Sequence, residues 1–286
     1  MTTPIVAGFD GSPESVAAAG WAGREALLRA LPLELLQAWP WPKTDVLGTS
    51  DAVTWSRQQL AAEEARLRAL LTGVEVTSAH VPHDPADALE AAGRRAAMLV
   101  LGSRGLGALR GFLVGSVSQE VLRRAPCPVV LVRAAEEDSA TDAGNHEVVV
   151  GLDLRRPFDE VLAFAFEAAE LRSAPLRAVH AWDPPTGSAY MAFAAIGSVY
   201  EELSAVEKQQ LTDVLAPWRA RHPRVAVTAD LVRGNASVAL VEATAAAGLA
   251  VVGRRARRAP IGTRLGSVAH AAIHHVRCPV AVVPYG

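Results

Sequence analysis

Short apolar runs alternate along this chain with longer stretches whose apolar residues recur at helical spacing. Pro4 to Phe9 is an apolar run bounded by turn residues, which predicts a buried strand. Glu14 to Leu31 has the helical period, and Ser12-Pro13-Glu14 in front of it reads as a helix start. Pro32 to Trp39 predicts the next strand, followed by a Pro/Trp-rich loop that holds Asp45 and Asp51. Trp55 to Thr72 predicts a long helix charged on one face, and Val74 to Val81 a strand. Ala86 to Ala97 is expected to be helical and Met98 to Leu101 a strand. A glycine-bearing loop then leads into a helix from Ser116 to Arg124, and Pro128 to Arg133 closes the series as a strand. Strands that are apolar throughout and alternate with helices predict a parallel sheet covered on both faces. Right-handed crossovers make that a doubly wound α/β fold.

The pattern then repeats. Gly102, Gly115, Ser116, Val117, Cys127, Pro128 and Val129 recur as Gly253, Gly266, Ser267, Val268, Cys278, Pro279 and Val280, each pair 151 positions apart. Ile5 to Asp10 matches Val148 to Asp153, and Leu36 to Trp39 matches Val179 to Trp182, at a separation of 143. A constant separation without gaps marks a duplicated domain. The separation grows between Trp182 and Val232, which places the extra length of the second copy within Tyr190 to Gln210. Ala134 to Glu147 is polar and acidic and reads as a linker. Two doubly wound domains are therefore expected, over residues 1–135 and 146–286.

Composition narrows the classes. The 286 residues are 50% hydrophobic and 20% charged, with a net charge of −2. That suits a folded core and excludes a disordered chain. A near-neutral balance supplies no field to recruit nucleic acid or an anionic membrane, so neither is an expected partner. The start, MTTPIVAGFDGS, does not resemble a signal peptide, and no apolar run reaches membrane-spanning length. A cytoplasmic protein is expected. The two cysteines, Cys127 and Cys278, occupy matching positions and are too few for a disulfide scaffold. They read as small buried side chains in a reducing compartment.

The candidate chemistry lies in the glycine loops. Ligands of open α/β sheets sit beyond the carboxyl ends of the strands, where Asp10 and Gly102 belong. Gly102 and Gly105 permit close backbone approach or positive φ. Gly115-Ser116-Val117 opens a helix whose free N–H groups favour an anion, and Ser116 is placed to cap it or to donate to a phosphate oxygen. These types suit a polyphosphate held by main chain. A Walker loop is absent, and the only lysines are Lys43 and Lys208. A dinucleotide fingerprint is absent too, since Asp10-Gly11-Ser12-Pro13 follows the first strand. His270 and His274 share a helix face with His275 beside them, but no third ligand is evident and no metal site is expected. Trp39, Trp41 and Trp182 follow the second strands, where packing is the usual role of such rings. No nucleophile–base constellation stands out, so no catalytic residue is assigned.

Taken together, Gly102-x2-Gly105-x9-Gly115-Ser116 and the CPVVLV that follows resemble the universal stress proteins of ATP-binding type, in the tandem form common in actinobacteria. The resemblance covers nearly the whole chain. It implies that Asp10 and Asp153 contact a nucleotide and that Ala38 and Ala181 hold the adenine through main chain. It also implies that Gly102, Ser103, Gly105, Gly115, Ser116 and Val117 bind ribose and phosphates. The second copy offers Gly253, Arg254, Ala256, Gly266, Ser267 and Val268, with alanine where the second glycine is expected. If that position requires positive φ, Ala256 costs on the order of 1 kcal/mol. Arg254, Arg255, Arg257 and Arg258 crowd the loop, either as phosphate contacts or as a solvated basic rim. The family pairs the closing strands of two domains, which here implies a pseudo-dimer within one chain. The resemblance implies ATP as ligand, with or without Mg, a nucleotide-dependent stress or dormancy regulator, and a homodimer or a regulated protein partner. A slow ATPase or phosphoryl- or nucleotidyl-transfer enzyme is the alternative, as is a scaffold with empty pockets.

Overall fold

The computed structural model describes residues 3–39, 49–103, 115–134, 147–156, 158–183, 196–256 and 265–286. The first half runs β1 (Ile5–Gly8), α1 (Pro13–Arg29), β2 (Leu33–Ala38), α2 (Thr49–Leu70), β3 (Val76–Val81), α3 (Pro85–Gly93), β4 (Met98–Ser103), α4 (Ser116–Arg124) and β5 (Val129–Arg133). The second half repeats that order as β6 (Val148–Leu152), α5 (Asp159–Leu171), β7 (Leu176–Trp182), α6 (Ile196–Arg221), β8 (Val227–Arg233), α7 (Ala236–Ala243), β9 (Leu249–Arg255), α8 (Ser267–His275) and β10 (Val280–Tyr285). All ten strands join one sheet, in the order β3-β2-β1-β4-β5-β10-β9-β6-β7-β8. Pairing within each half is parallel, as the apolar runs of the central strands predict, while the outer strands β3 and β8 carry polar residues. The two tandem doubly wound units thus form a pseudo-dimer within one chain.

The junction is the antiparallel pair β5–β10, with Val280 opposite Leu131, Ala281 opposite Val130 and Val282 opposite Val129. Val130 and Ala281 are equivalent in the repeat, so a pseudo-twofold axis passes between them. Pairing these two strands also covers what would otherwise be an exposed edge in each half. Helices α1, α2, α5 and α6 cover one face over a core that runs through both halves. Helices α3, α4, α7 and α8 cover the other. Alternation along each strand feeds both cores: Met98 and Val100 join the first, Leu99 and Leu101 the second.

Polar contacts reinforce the junction. The Glu25 carboxylate, 1% exposed, accepts from Arg29 Nε at 2.6 Å and also from Arg172 of the second half. Arg29 pairs in turn with Glu167 at 2.8 Å. Each arginine lies over an aromatic ring of the opposite half, Arg29 over Phe164 at 5.3 Å and Arg172 over Trp21 at 5.8 Å. Arg29 and Arg172 are repeat equivalents, as are Trp21 and Phe164. The duplication thus produced a reciprocal clasp.

Local capping follows the sequence. The Ser12 side chain accepts from the Ser15 amide at 3.2 Å, and Pro13 opens α1. Asp84 and Asn235 each accept from two amides at the starts of α3 and α7. Some boundaries differ from expectation. Helix α3 stops at Gly93, because the chain must turn there to reach β4, where Ala97 donates to Pro4 O at 2.8 Å. Helix α2 begins at Thr49, so Asp51 lies in a helix and not in a loop. Helix α6 has 26 residues against 22 in α2. Arg68 to Val76 O and Arg219 to Val227 O are matching bonds near their carboxyl ends, so the added length is at the start of α6. The linker residues 135–146 and residues 190–195 of the longer segment lie outside the described residues. Among the described residues no helix is long and apolar enough to cross a membrane.

Candidate functional site

Parallel strands bring their carboxyl ends to one edge, and β1 lies between β2 and β4, so the strand order reverses beside it. That switch point is where doubly wound sheets leave a crevice. At this edge Asp10 follows β1, Ala38 ends β2, Gly102 and Ser103 end β4, and Gly115-Ser116-Val117 starts α4. Gly105 lies outside the described residues. The second half places Asp153 after β6, Ala181 in β7, Gly253 and Arg254 in β9, and Gly266-Ser267-Val268 at the start of α8. There Asp153, Ala181, Gly253, Arg254, Gly266, Ser267 and Val268 line a single open cleft of about 1230 Å³. Ala256 stands just beyond it and donates its N–H to Tyr285 O at 2.9 Å.

The glycines divide into two kinds. Gly115 (φ −56°, ψ 150°) and Gly266 (φ −59°, ψ 158°) adopt backbone angles open to any residue. A Cβ built on either would meet nothing within 4 Å. Neither conformation nor packing among the described residues demands glycine there. Both precede helices with no side-chain cap, so first-turn N–H groups face the crevice with the positive end of the helix dipole. A bare backbone at an uncapped helix start is the form of an anion cradle.

Gly102 differs, and the expectation that it serves close approach of a phosphate is revised. A Cβ at Gly102 would lie 2.6–2.8 Å from the backbone of Glu14 and Ser15, so this glycine admits the start of α1 against β4. In the second half a Cβ at Gly253 would strike the Tyr285 ring at 2.8 and 2.9 Å and Val161 at 3.0 Å. Ala256 carries no left-handed strain, since Ala30 and Ser173 are the positive-φ non-glycines among the described residues. The alanine costs its loop nothing in conformation.

Arg254 also departs from its expected role. Its guanidinium donates to Arg123 O at 3.0 Å and Ala125 O at 2.5 Å, the carbonyls that end α4 in the other half. The residue is 5% exposed, and burial lowers its pKa. A cation at a helix carboxyl end is well placed, so Arg254 serves the junction and not a phosphate. Arg133 answers it from β5 by donating to Ile273 O in α8 at 3.1 Å.

Each aspartate is fixed by its own turn. Asp10 Oδ1 accepts from the Ser12 amide at 2.9 Å and the Ser12 hydroxyl at 2.5 Å, around Gly11 at φ +81°. Asp153 Oδ1 accepts from the Arg155 amide at 3.1 Å, and Asp153 Oδ2 from Arg156 Nε at 3.1 Å. Arg155, Arg156, Arg255 and Tyr285 also line the second cleft. Of these the sequence reading noticed only Arg255. Arg155-Arg156 stands where the first copy has Ser12-Pro13, and that mismatch was the available signal. His180, buried at the floor, donates from Nδ1 to Leu152 O at 3.0 Å and faces Glu207 at 3.3 Å. The turn after β3 also differs between copies: Gly234 has φ +117°, while its match His83 does not adopt positive φ.

Of the tryptophans, Trp182 is buried and lines the cleft, Trp39 is exposed, and Trp41 lies outside the described residues. Cys127 and Cys278 are free thiols, pushed up by burial to about 11 and about 12. The His270 and His274 rings are 4.4 Å apart, and no cluster of three or more metal-ligating side chains occurs among the described residues.

The model of the universal stress protein family matches residues 1–133 and again 144–284. A universal stress protein of Mycobacterium tuberculosis is 33% identical over 295 residues, spanning 97% of this chain and 96% of its own. The crystal structure of a universal stress protein from Archaeoglobus fulgidus superposes over 100% of both chains with a TM-score of 0.71 at 19% identity, a likeness of fold. A universal stress protein solved in complex with cAMP matches 47% of this chain and 99% of its own, at 25% identity and a TM-score of 0.38. With two family matches that together span most of its length, the chain belongs to the universal stress protein family.

Proposed function

We propose that this chain binds adenine nucleotide at the two switch-point crevices, with ATP in the first, and acts as a nucleotide-dependent regulator. One observation carries the reading. Gly115 and Gly266 are glycines that neither their backbone angles nor any contact among the described residues requires, at uncapped helix starts on the ligand-binding edge. A side chain there would stand where a ligand's phosphates approach the helix start. The three phosphates would rest on the first-turn amides and the Ser116 hydroxyl, the adenine against the main chain of Ala38, and Asp10 would face the sugar between them. Strand order supports that layout, since β4, β1 and β2 are consecutive. Mg, where present, would travel with the phosphates.

A regulator fits better than an enzyme. Phosphoryl transfer draws on a metal-binding carboxylate and a residue that orients the attacking group, and the aspartate that follows the first strand of each half, Asp10 or Asp153, is already engaged by its own turn. The test is to load the purified chain with ATP, remove free nucleotide by gel filtration, denature it and identify what is released. Intact ATP at about one per chain or more supports the regulator. ADP that accumulates with turnover supports the enzyme, and no retained nucleotide overturns the site.

A further inference from the structure

We propose that the second cleft selects an adenine nucleotide phosphorylated on a ribose hydroxyl as well as on its 5′ chain. The proposal rests on the reading that both crevices take adenine nucleotide, and it assigns the two crevices different ligands.

Strand order places the parts of such a ligand. In the second half the sequence of neighbours is β9-β6-β7. The anion cradle at Gly266 belongs to the loop after β9, and Ala181 marks the base edge at the end of β7. The sugar therefore lies over β6, at Asp153. In the first half the equivalent turn is Asp10-Gly11-Ser12-Pro13, with a hydroxyl and a proline ring beside the carboxylate. A carboxylate in that setting suits a ribose hydroxyl, which donates to it.

The second half builds this corner otherwise. Ser12 and Pro13 are replaced by Arg155 and Arg156, and both arginines line the cleft. The fold of the turn is kept, since the amide of Arg155 donates to Asp153 Oδ1 as the amide of Ser12 does to Asp10. What changes is the charge. Arg156 Nε binds Asp153 Oδ2 at 3.1 Å, which offsets the carboxylate's own field. The Arg155 guanidinium forms no ion pair among the described residues, and neither does that of Arg255 across the cleft. Helix α5 opens only at Asp159, behind Phe158, which supplies no side-chain cap, whereas Ser12 caps α1. The corner where the sugar would lie thus presents two guanidinium groups, one of them unpaired. Guanidinium forks are matched to phosphate oxygens, and dinucleotide sites meet a ribose hydroxyl with an acid but a ribose phosphate with a nearby arginine.

The experiment is calorimetric titration of the full chain carrying Gly115→Ala, which disables the first cradle, with adenosine 3′,5′-bisphosphate, its 2′,5′ isomer, AMP and ATP. One of the two bisphosphates is expected to bind at one site per chain, about tenfold or more tighter than AMP, as one added charge-assisted contact allows. Substituting Arg155→Gln together with Arg156→Gln is expected to erase that preference, so that the bisphosphate and AMP bind within about threefold of one another. Thermal melting of the variant, unchanged from its parent, separates this loss from misfolding. Arg155→Gln alone, which spares the bond to Asp153, is expected to give a partial loss if the pair of variants proves unstable. Bisphosphates that bind no tighter than AMP, or a preference that survives both substitutions, overturn the proposal while adenine nucleotide binding stands. Failure of every adenine nucleotide to bind, in this protein and in the unsubstituted chain, overturns the reading on which it rests.

Discussion

Substituting Gly115→Ala and Gly102→Ala separates a glycine kept for a ligand from one kept for packing. At Gly115 the added methyl meets nothing within 4 Å among the described residues, and alanine adopts φ −56° and ψ 150° without strain. Alanine is a poorer N-cap than glycine by about 0.5–1 kcal/mol, but it restricts the unfolded chain by about 0.4–1 kcal/mol. These oppose each other, so stability is expected to change by less than about 0.5 kcal/mol. ATP affinity is expected to fall, because the methyl lifts a phosphate from the α4 amides. Losing one charge-assisted hydrogen bond of about 1.5–3 kcal/mol weakens binding by about 10- to 100-fold. Gly102→Ala reverses the pattern. Its methyl would lie 2.6 Å from the Glu14 carbonyl carbon, within the backbone of α1, which cannot rotate aside. Overpacking of that kind costs about 1–3 kcal/mol or more. Denaturant unfolding and ATP titration on both variants make the check. If Gly115→Ala destabilises the chain as much as Gly102→Ala, or leaves ATP binding unchanged, the cradle reasoning is refuted.

Other expectations concern the junction and the buried groups. Glu25→Ala removes a buried carboxylate shared by Arg29 and Arg172, and guanidinium chloride unfolding is expected to show a loss of about 3 kcal/mol or more. A loss below about 1 kcal/mol would mean that the clasp does not hold the halves together. Cys127 and Cys278, with pKa values near 11 and 12, are expected to resist a thiol reagent at about pH 8 until denaturant is added. Fast labelling of either in the native protein would contradict the raised pKa values of the buried Cys127 and the half-buried Cys278. For His80, burial first and Arg57 second lower the pKa below its ordinary 6.5. The unfolded chain therefore takes up this proton before the folded one as the medium acidifies. His80 contributes stability above pH 6.5 that fades as pH falls below it, and His80→Gln is expected to flatten that part of the profile. An unchanged slope would count against the assignment.

The fold was readable because the central strands are apolar on both faces and the repeat holds its spacing. The same two properties announce a parallel sheet, whereas the pairing of β5 with β10 was an implication of the family resemblance and its register, Val130 opposite Ala281, comes from the structure. The glycine-led, uncapped start of α4 was also readable, since a glycine, a serine and an amphipathic helix are neighbours in sequence. Gly102 was not, because the reason for it is the backbone of Glu14, which only tertiary packing brings near. Arg254 stands in the glycine loop by sequence, yet its partners are carbonyls 131 and 129 positions away in the other half. No local pattern reports such a contact. Arg155 and Arg156 were within reach. They sit in a turn whose backbone is kept, and only setting it against Ser12-Pro13 shows that its charge has changed. Ala96 and Ala97 continued the apolar pattern of α3, although the first lies buried in the turn that follows.

The most direct measurement is a crystal structure of the chain grown with ATP in excess. Nucleotide is expected at the switch-point edge of the first half, with phosphates on the amides of Ser116 and Val117 and adenine beside Ala38. ATP bound away from that edge, or both crevices empty at saturating ATP, would contradict it.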